Sequence, residues 1–598
     1  MNLDKLLKRK EVPVENTWAL EDIFLTEEDW EAGVKELAAL TEEIGAYRGR
    51  LGEGGETLLG WYRLQERIAI LCDSVLNYAF RLSDTDNGNG HWLNMRGRAT
   101  TLAVNLDTAM SFAAPEIMGI PEEKLREFYE QCPGLRTYER ALYCLRRLSD
   151  HILSPAEETL LSAAGEMAQS PDNIGNMLRD ADMTFPKVSD GEGKEHLLTQ
   201  GTYGLLMQSS DRTLRENTFR TLYKTYGGTK NTAAAILNAQ MKQLKFFSDA
   251  RRYPEALSAA LTPNEVPVEV YYNLLGTVEA NIGKLHRYMG LRKRILGLEE
   301  LHMYDVYTSM IADADEKLTY DQAGELMLKA LAPLGEDYLA VVRRALKERW
   351  IDVYENEGKT SGAYSSGARP HPYILLNHRD DLDSAFTLVH EMGHAMHSYL
   401  SMEHQRVIYS DYVIFVAEVA SICNELLLMQ YLLGQTEDKR RRAYLINHFL
   451  EQFRTTLYRQ TQFARFELDM SGMCARDETL TAESLSERYL ELNRFYYGDD
   501  VISDEEIALE WARIPHFFYD FYVFQYATGF SAAIAIAMKI LAGEPEAVEN
   551  YKKFLSSGCS RDPISLLRIA GVDMASTEPV QSALDYFDRL LDEMEELV

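Results

Sequence analysis

The sequence predicts a mostly α fold, large and helical, with one small β-sheet just ahead of a helix that carries a pair of histidines. Three observations support this. Helical periodicity recurs over most of the 598 residues, strand-like runs are confined to two short regions, and no fixed-period repeat or low-complexity linker interrupts the pattern. With 46% hydrophobic residues, the chain can bury one large core or several ordinary ones without outside help.

Taken in order, capped amphipathic stretches cover 27–47, 58–82, 92–112 and 154–167. Residues 183–188 and 196–199, with Asp190-Gly191 between them, read as a short hairpin. A boundary is expected near Gln200, dividing a helical domain, 1–200, from a second domain, 201–598. Helices resume over 211–247 and 267–296. Residues 350–354, 362–365 and 372–376 are short, aromatic or β-branched, and separated by Gly, Ser and Pro, so they predict the small sheet. Beyond Ser384 the chain reads as helix almost to its end.

Charge excludes some partners. Lys and Arg total 62 against 93 Asp and Glu, a net charge of -31 that repels nucleic-acid phosphates and anionic lipid surfaces. Six scattered cysteines contain no CxxC pair, which suits a reducing compartment better than a disulfide framework. The opening Met1-Asn2-Leu3-Asp4-Lys5 has no apolar signal core, and no uninterrupted apolar span long enough to cross a bilayer stands out. A cytoplasmic location is the expectation.

The chemistry concentrates in His390-Glu391-Met392-Gly393-His394. Asp381 or Asp383 can cap this segment, and Ala385, Val389, Met392, Met396 and Tyr399 form an apolar stripe at helical spacing. His390 and His394 sit one turn apart on the other side, where two imidazoles can converge on one Zn²⁺. Glu391 lies about 100° round the helix, placed to act as general base on water at the metal without ligating it. His397 is about 10 Å along the axis from His390, too far to share the ion, and reads as packing or support.

A catalytic zinc takes three protein ligands. The nearly continuous apolar stretch 413–433 reads as a buried helix, and within it Glu418 and Glu425 share a face with Ser421 between them. A buried carboxylate needs a cation or a proton, so Glu418 is expected as the third ligand and Glu425 as the group that orients a ligating imidazole. Glu403 and Asp411, in a predicted loop, are the alternative ligands. The same ligands can hold cobalt or manganese. Farther on, Tyr519, Tyr522 and Tyr526 fall on one helical face just after His516, with hydroxyls able to reach a ligand. Residues 362–365 could form an edge strand that grips a peptide backbone.

These residues resemble the thimet-oligopeptidase-like zinc metallopeptidases, and among them the oligoendopeptidase F subfamily. The likeness rests on Gly358-Lys359-Thr360-Ser361-Gly362-Ala363-Tyr364-Ser365, on Leu388-Val389-His390-Glu391-Met392-Gly393-His394-Ala395-Met396-His397-Ser398, and on Tyr409-Ser410-Asp411-Tyr412 leading into Phe415-Val416-Ala417-Glu418-Val419-Ala420-Ser421. Trp18-Ala19-Leu20-Glu21-Asp22-Ile23-Phe24 extends it to nearly the whole chain. The resemblance implies a helical zincin-type fold with a deep cleft that the N-terminal domain covers, and one zinc per chain on His390, His394 and Glu418. It implies Glu391 as the catalytic glutamate, and His516, Tyr522 and Tyr526 as counterparts of a His and Tyr cluster that stabilises the transition state. The His-to-Tyr spacing departs by one residue and Gly529 stands where a third tyrosine would be, so either Tyr519 or no residue takes that place. Gly362, Ala363, Tyr364 and Tyr519 are then expected to bind substrate. The expected activity is endopeptidase cleavage of short peptides. A peptide-sequestering protein without turnover, or a carboxypeptidase or dipeptidase on the same scaffold, are the alternatives.

Overall fold

The computed structural model describes residues 6–311 and 317–598. The chain divides into two compact units that alternate along the sequence. The first takes Met1–Ser149, Asp315–Tyr431 and Ile536–Gly571, and the second Asp150–Ala314, Leu432–Ala535 and Val572–Val598. Gln200 is not one of these boundaries, because each unit gathers segments that are distant in the chain.

In the first unit, the helices Glu27–Gly45, Gly55–Thr85 and Gly90–Met110 start close to where their caps predict. Thr26 and Asp29 form a reciprocal capping box, and the Asn89 side chain accepts from the amides of His91 and Trp92. Their apolar faces close over the fully buried Trp30 and Trp61, and the Trp30 indole donates to the Val75 carbonyl at 3.0 Å. The expected sheet is present with three strands: Tyr373–Leu375 lies in the middle, parallel to Ile351–Asp352 and antiparallel to Tyr364–Ser366. Trp18 packs against Ala368, Tyr373 and Leu375, and its indole donates to the Ile374 carbonyl at 2.7 Å. The N-terminal motif therefore fastens the strand that leads into the histidine helix.

In the second unit, the expected hairpin pairs Val188–Ser189 with Glu195–His196. Two long predicted helices are each broken once. Arg212–Gly227 gives way to Lys230–Ala250 after Gly228, and Val268–Ala280 to Ile282–Ile295 at Asn281, whose side chain turns back to the Thr277 carbonyl at 2.9 Å. Amphipathic periodicity continues through such a break, so the pattern alone does not show it. A parallel pair, Leu301–His302 with Val501–Ile502, was not expected. Two residues per strand carry no readable alternation.

Two helices, Ile414–Gln435 and Phe524–Leu541, are long and apolar enough to cross a membrane by length and composition, but neither is an uninterrupted apolar run: Glu418 and Glu425 interrupt the first and Lys539 the second. In their most apolar windows 72% and 78% of residues are buried in the protein, as in the core helices of a folded interior. All six cysteines are free thiols.

Candidate active site

Asp381, not Asp383, caps the Leu382–His404 helix, its carboxylate accepting from the Ser384 amide at 2.8 Å. All but one of the expected stripe residues are buried, Ala385, Val389, Met392 and Met396; Tyr399 is half-buried and lies against Trp350. That burial fixes the rotation of the helix and turns His390 and His394 together. Their Nε2 atoms are 3.2 Å apart, and each lies 3.6 Å from Glu418 Oε2. Among the described residues, these three form the group of ligand atoms able to hold a metal ion.

The geometry suits a small dication. Ligand atoms about 2.1 Å from a tetrahedral centre lie about 3.4 Å from one another, and the three separations in the structure bracket that value. The supporting contacts agree. His390 Nδ1 donates to Glu425 Oε1 at 2.5 Å, leaving the Nε2 lone pair for a metal. His394 donates to the Ala417 carbonyl, and the Ser421 hydroxyl donates to Glu418 Oε2 at 3.1 Å. Glu403 and Asp411 are not in the group.

Glu418 is brought within reach by a glycine. A Cβ added at Gly393 would stand 2.5 Å from Ser421 Cα and 2.6 Å from the Ala420 carbonyl oxygen, so the Leu382–His404 and Ile414–Gln435 helices pass at a distance that only glycine allows. Sequence reasoning overlooked Gly393. Its signal was available, since glycine inside a helix costs about 1 kcal/mol relative to alanine and asks for a packing reason.

Glu391 is 7% exposed and accepts a hydrogen bond from the Ser365 amide, another partner that spacing could not reveal. Burial, against the attraction of His390 and with repulsion from Glu418 and Glu425, pushes its carboxyl up to about 7. A dication on the adjacent ligands would draw it back down. Burial resists charging both histidines. Glu425 overcomes that resistance at His390, whose pKa is raised, while the His390 charge adds to it at His394, whose pKa is lowered. His397, expected either to pack or to support the ligands, does pack: it is 1% exposed and stacked on Tyr412 with ring centroids 3.7 Å apart.

The Tyr364–Ser366 strand forms the edge of its sheet. Its Tyr364 hydroxyl is taken by Asp84 at 2.5 Å, and Tyr364 pairs with Leu375 of the middle strand, so it is the Ser365 amide that points away from the sheet, to Glu391. Gly362, at φ +80°, and Ala363 line a polar cavity of ≈ 310 Å³ that runs to Asp381 and Thr387 in the first turns of the histidine helix.

In the second unit, His516, Tyr519, Tyr522 and Tyr526 do cluster: the His516 ring centroid is 5.6 Å from Tyr519, 6.2 Å from Tyr522 and 6.1 Å from Tyr526. They do not share a helical face, which corrects the sequence reading. His516 lies in a single 3₁₀ turn, Pro515–Phe518, and Tyr519 and Tyr522 lie in a loop. Only Tyr526 is in the helix that begins at Phe524. Helical spacing is broken because Asp520 and Phe521 both take left-handed backbone conformations, φ 51° and 59°. Tyr519 is 48% exposed, whereas burial and the charges of Arg459 and Arg179 lower the pKa of His516 and keep it neutral.

A largely helical protein in which an HExxH helix and a glutamate of a second helix converge on one point belongs, by fold and site, to the metallopeptidase class. Comparison with known proteins narrows this. The profile of peptidase family M3 matches residues 205–586 and that of oligopeptidase F residues 116–185. Oligopeptidase PepF of Bacillus subtilis is 43% identical over 596 residues, covering 100% of this chain and 89% of its own length. Group B oligopeptidase PepB of Streptococcus agalactiae is 39% identical, covering 99% and 98%. The crystal structure of oligoendopeptidase-F from Enterococcus faecium superimposes with a TM-score of 0.75 at 36% identity, covering 96% of this chain and 99% of that one. The chain belongs to peptidase family M3 and is a metalloendopeptidase, an enzyme that hydrolyses peptides.

Proposed function

We propose that this metalloendopeptidase cleaves short peptides with one zinc ion held by His390 Nε2, His394 Nε2 and Glu418 Oε2. The observation that carries the proposal is the 3.2 to 3.6 Å spacing of those three atoms, with Glu425 behind His390. Bound there, zinc supplies Lewis acidity toward a carbonyl oxygen and a water molecule. Glu391 takes a proton from the attacking water and delivers it to the departing amine nitrogen. The Ser365 amide holds the Glu391 carboxylate while Glu425 holds the His390 imidazole.

Neutral His516, with Tyr522 or Tyr526, donates hydrogen bonds to the oxyanion of the tetrahedral intermediate. Tyr519 and the segment Gly362, Ala363 and Tyr364 bind the substrate chain. All of these residues fall within 201–598, the part we assign to catalysis. Short peptides as substrates accord with the oligopeptidase names of the relatives, and the cytoplasm with the free cysteines.

The test is digestion of a peptide blocked at both termini, read by mass spectrometry, with metal content measured on the same samples. Wild-type enzyme should cut internally, lose activity to a chelator and regain it with zinc. Glu391→Gln should keep one zinc per chain and lose about 10²- to 10⁴-fold in kcat. Cleavage by that variant at the wild-type rate would overturn the role of Glu391, and release of terminal residues alone from an unblocked peptide would favour exopeptidase action.

A further inference from the structure

The backbone at Asp520-Phe521 is strained, and the surroundings explain how it persists. Two consecutive non-glycine residues in the left-handed region are costly, and for a residue as bulky as phenylalanine the conformation is rare. Such a conformation survives only when neighbouring groups over-determine it. Here they do. The Phe521 amide donates to Glu467 Oε1 at 2.7 Å, and the Gln240 side-chain amide donates to Asp520 Oδ1 at 3.0 Å and to the Phe518 carbonyl at 3.4 Å. The Phe521 ring is 1% exposed and meets Tyr271 edge-on with centroids 5.8 Å apart.

Glu467 is the costly member of this arrangement. It projects from the Arg459–Ala475 helix into a site with no exposure at all, and its second oxygen, Oε2, has no hydrogen-bond partner among the described residues. A glutamate is among the least favourable residues to bury in this way. An apolar residue would fill the space more cheaply but could not accept from the Phe521 amide, which would then be buried without a partner.

We propose that Glu467 is a positioning residue for catalysis: by accepting from the Phe521 amide it holds the loop that presents His516, Tyr519 and Tyr522. The proposal rests on the catalytic reading of that cluster. Glu467 touches no substrate and acts through the loop backbone, with Gln240 as a second tie.

The test compares Glu467→Gln, which keeps an acceptor oxygen in the same place, with Glu467→Ala, which removes it. Two readouts are taken: steady-state kinetics on a short peptide, and hydrogen exchange of the 516–523 segment in the full zinc-loaded protein. Glu467→Ala should speed exchange in 516–523 and lower kcat about 10- to 100-fold with a smaller change in KM. Glu467→Gln should restore both to near wild type. Should Glu467→Ala not fold, Gln240→Met cuts the other tie and should speed exchange in the same segment.

Unchanged exchange in Glu467→Ala and in Gln240→Met, or a Glu467→Gln variant as impaired as Glu467→Ala, would overturn the proposal. His516→Ala and Tyr522→Phe, assayed in parallel, separate the two levels. If they keep full kcat, the catalytic reading of the cluster fails, and the exchange data alone then decide whether Glu467 holds the loop.

Discussion

The metal group and the tyrosine loop are built on opposite principles. His390, Glu391, His394 and Glu418 stand on two regular helices, each side chain aimed by helix rotation and backed by a hydrogen bond. His516, Tyr519 and Tyr522 stand on irregular backbone that contains two left-handed residues and is held by side chains reaching in from elsewhere in the second unit. A metal site needs fixed distances between a few atoms, which a helix supplies through its own period. The loop must aim several rings at one place, and that takes backbone angles no regular element offers.

The comparison can be broken most severely at Gly393. Gly393→Ala puts a methyl group 2.5 Å from the Ser421 backbone, which cannot rotate away, so the two ligand-bearing helices must separate. Overpacking of this kind costs about 1 to 3 kcal/mol. Thermal melting should show that loss, and equilibrium dialysis should show zinc binding and activity lost together. Retained affinity would mean that the helices do not need this approach.

In the tyrosine cluster, Tyr522→Phe in the loop or Tyr526→Phe in the following helix removes a hydroxyl while leaving the ring. Whichever hydroxyl meets the oxyanion should cost about 10²- to 10³-fold in kcat, with zinc content and melting temperature unchanged. Comparing the two variants assigns the donor. Loss of zinc in either would mean that the loop also supports the metal.

Glu425→Gln sharpens the helical side. It weakens the 2.5 Å contact to His390 Nδ1 and should lower zinc affinity about 10- to 100-fold, measured by competition with a chromogenic chelator, with kcat little changed at saturating zinc.

The last effect bears on stability alone and is a slope with pH. Burial, against the Phe521 amide and with repulsion from Asp520, pushes the Glu467 carboxyl up to about 8 from an ordinary 4.5. The unfolded chain therefore releases this proton well before the folded protein does. The stability Glu467 contributes is full below its ordinary pKa and declines as pH rises toward about 8. Glu467→Gln has no such proton, so the melting temperature of the variant minus that of wild type should grow between pH 5 and pH 8. A constant difference would show that the folded protein does not hold the Glu467 proton above its ordinary pKa.

Much of the metal site was legible because its signals are local. The i, i+4 spacing of His390 and His394 is written in the pentapeptide, and the polar face of Glu418, Ser421 and Glu425 stands out within an otherwise apolar helix. The sheet ahead of that helix was readable from its β-branched and aromatic runs between glycines and prolines. Of the tyrosines, Tyr526 does stand on a helix, but Tyr519 and Tyr522 do not. Their spacing of three and four residues imitates a helix, and nothing in the side chains of Asp520 and Phe521 announces left-handed backbone.

By itself, then, the sequence determined that the chain is mostly helical, that His390 and His394 share a helix face with Glu391 beside them, and that a carboxylate in the apolar helix of Glu418 calls for a cation or a proton. These are consequences of the helix period and of the cost of burying charge, and both act over a few residues. Tertiary structure alone decided that Gly393 lets Glu418 come close, that Glu425 meets His390 rather than His394, that the compact units alternate along the chain, and that Glu467 meets the Phe521 amide. Those contacts join residues tens of positions apart, and long-range packing, which leaves no period in the sequence, selects them.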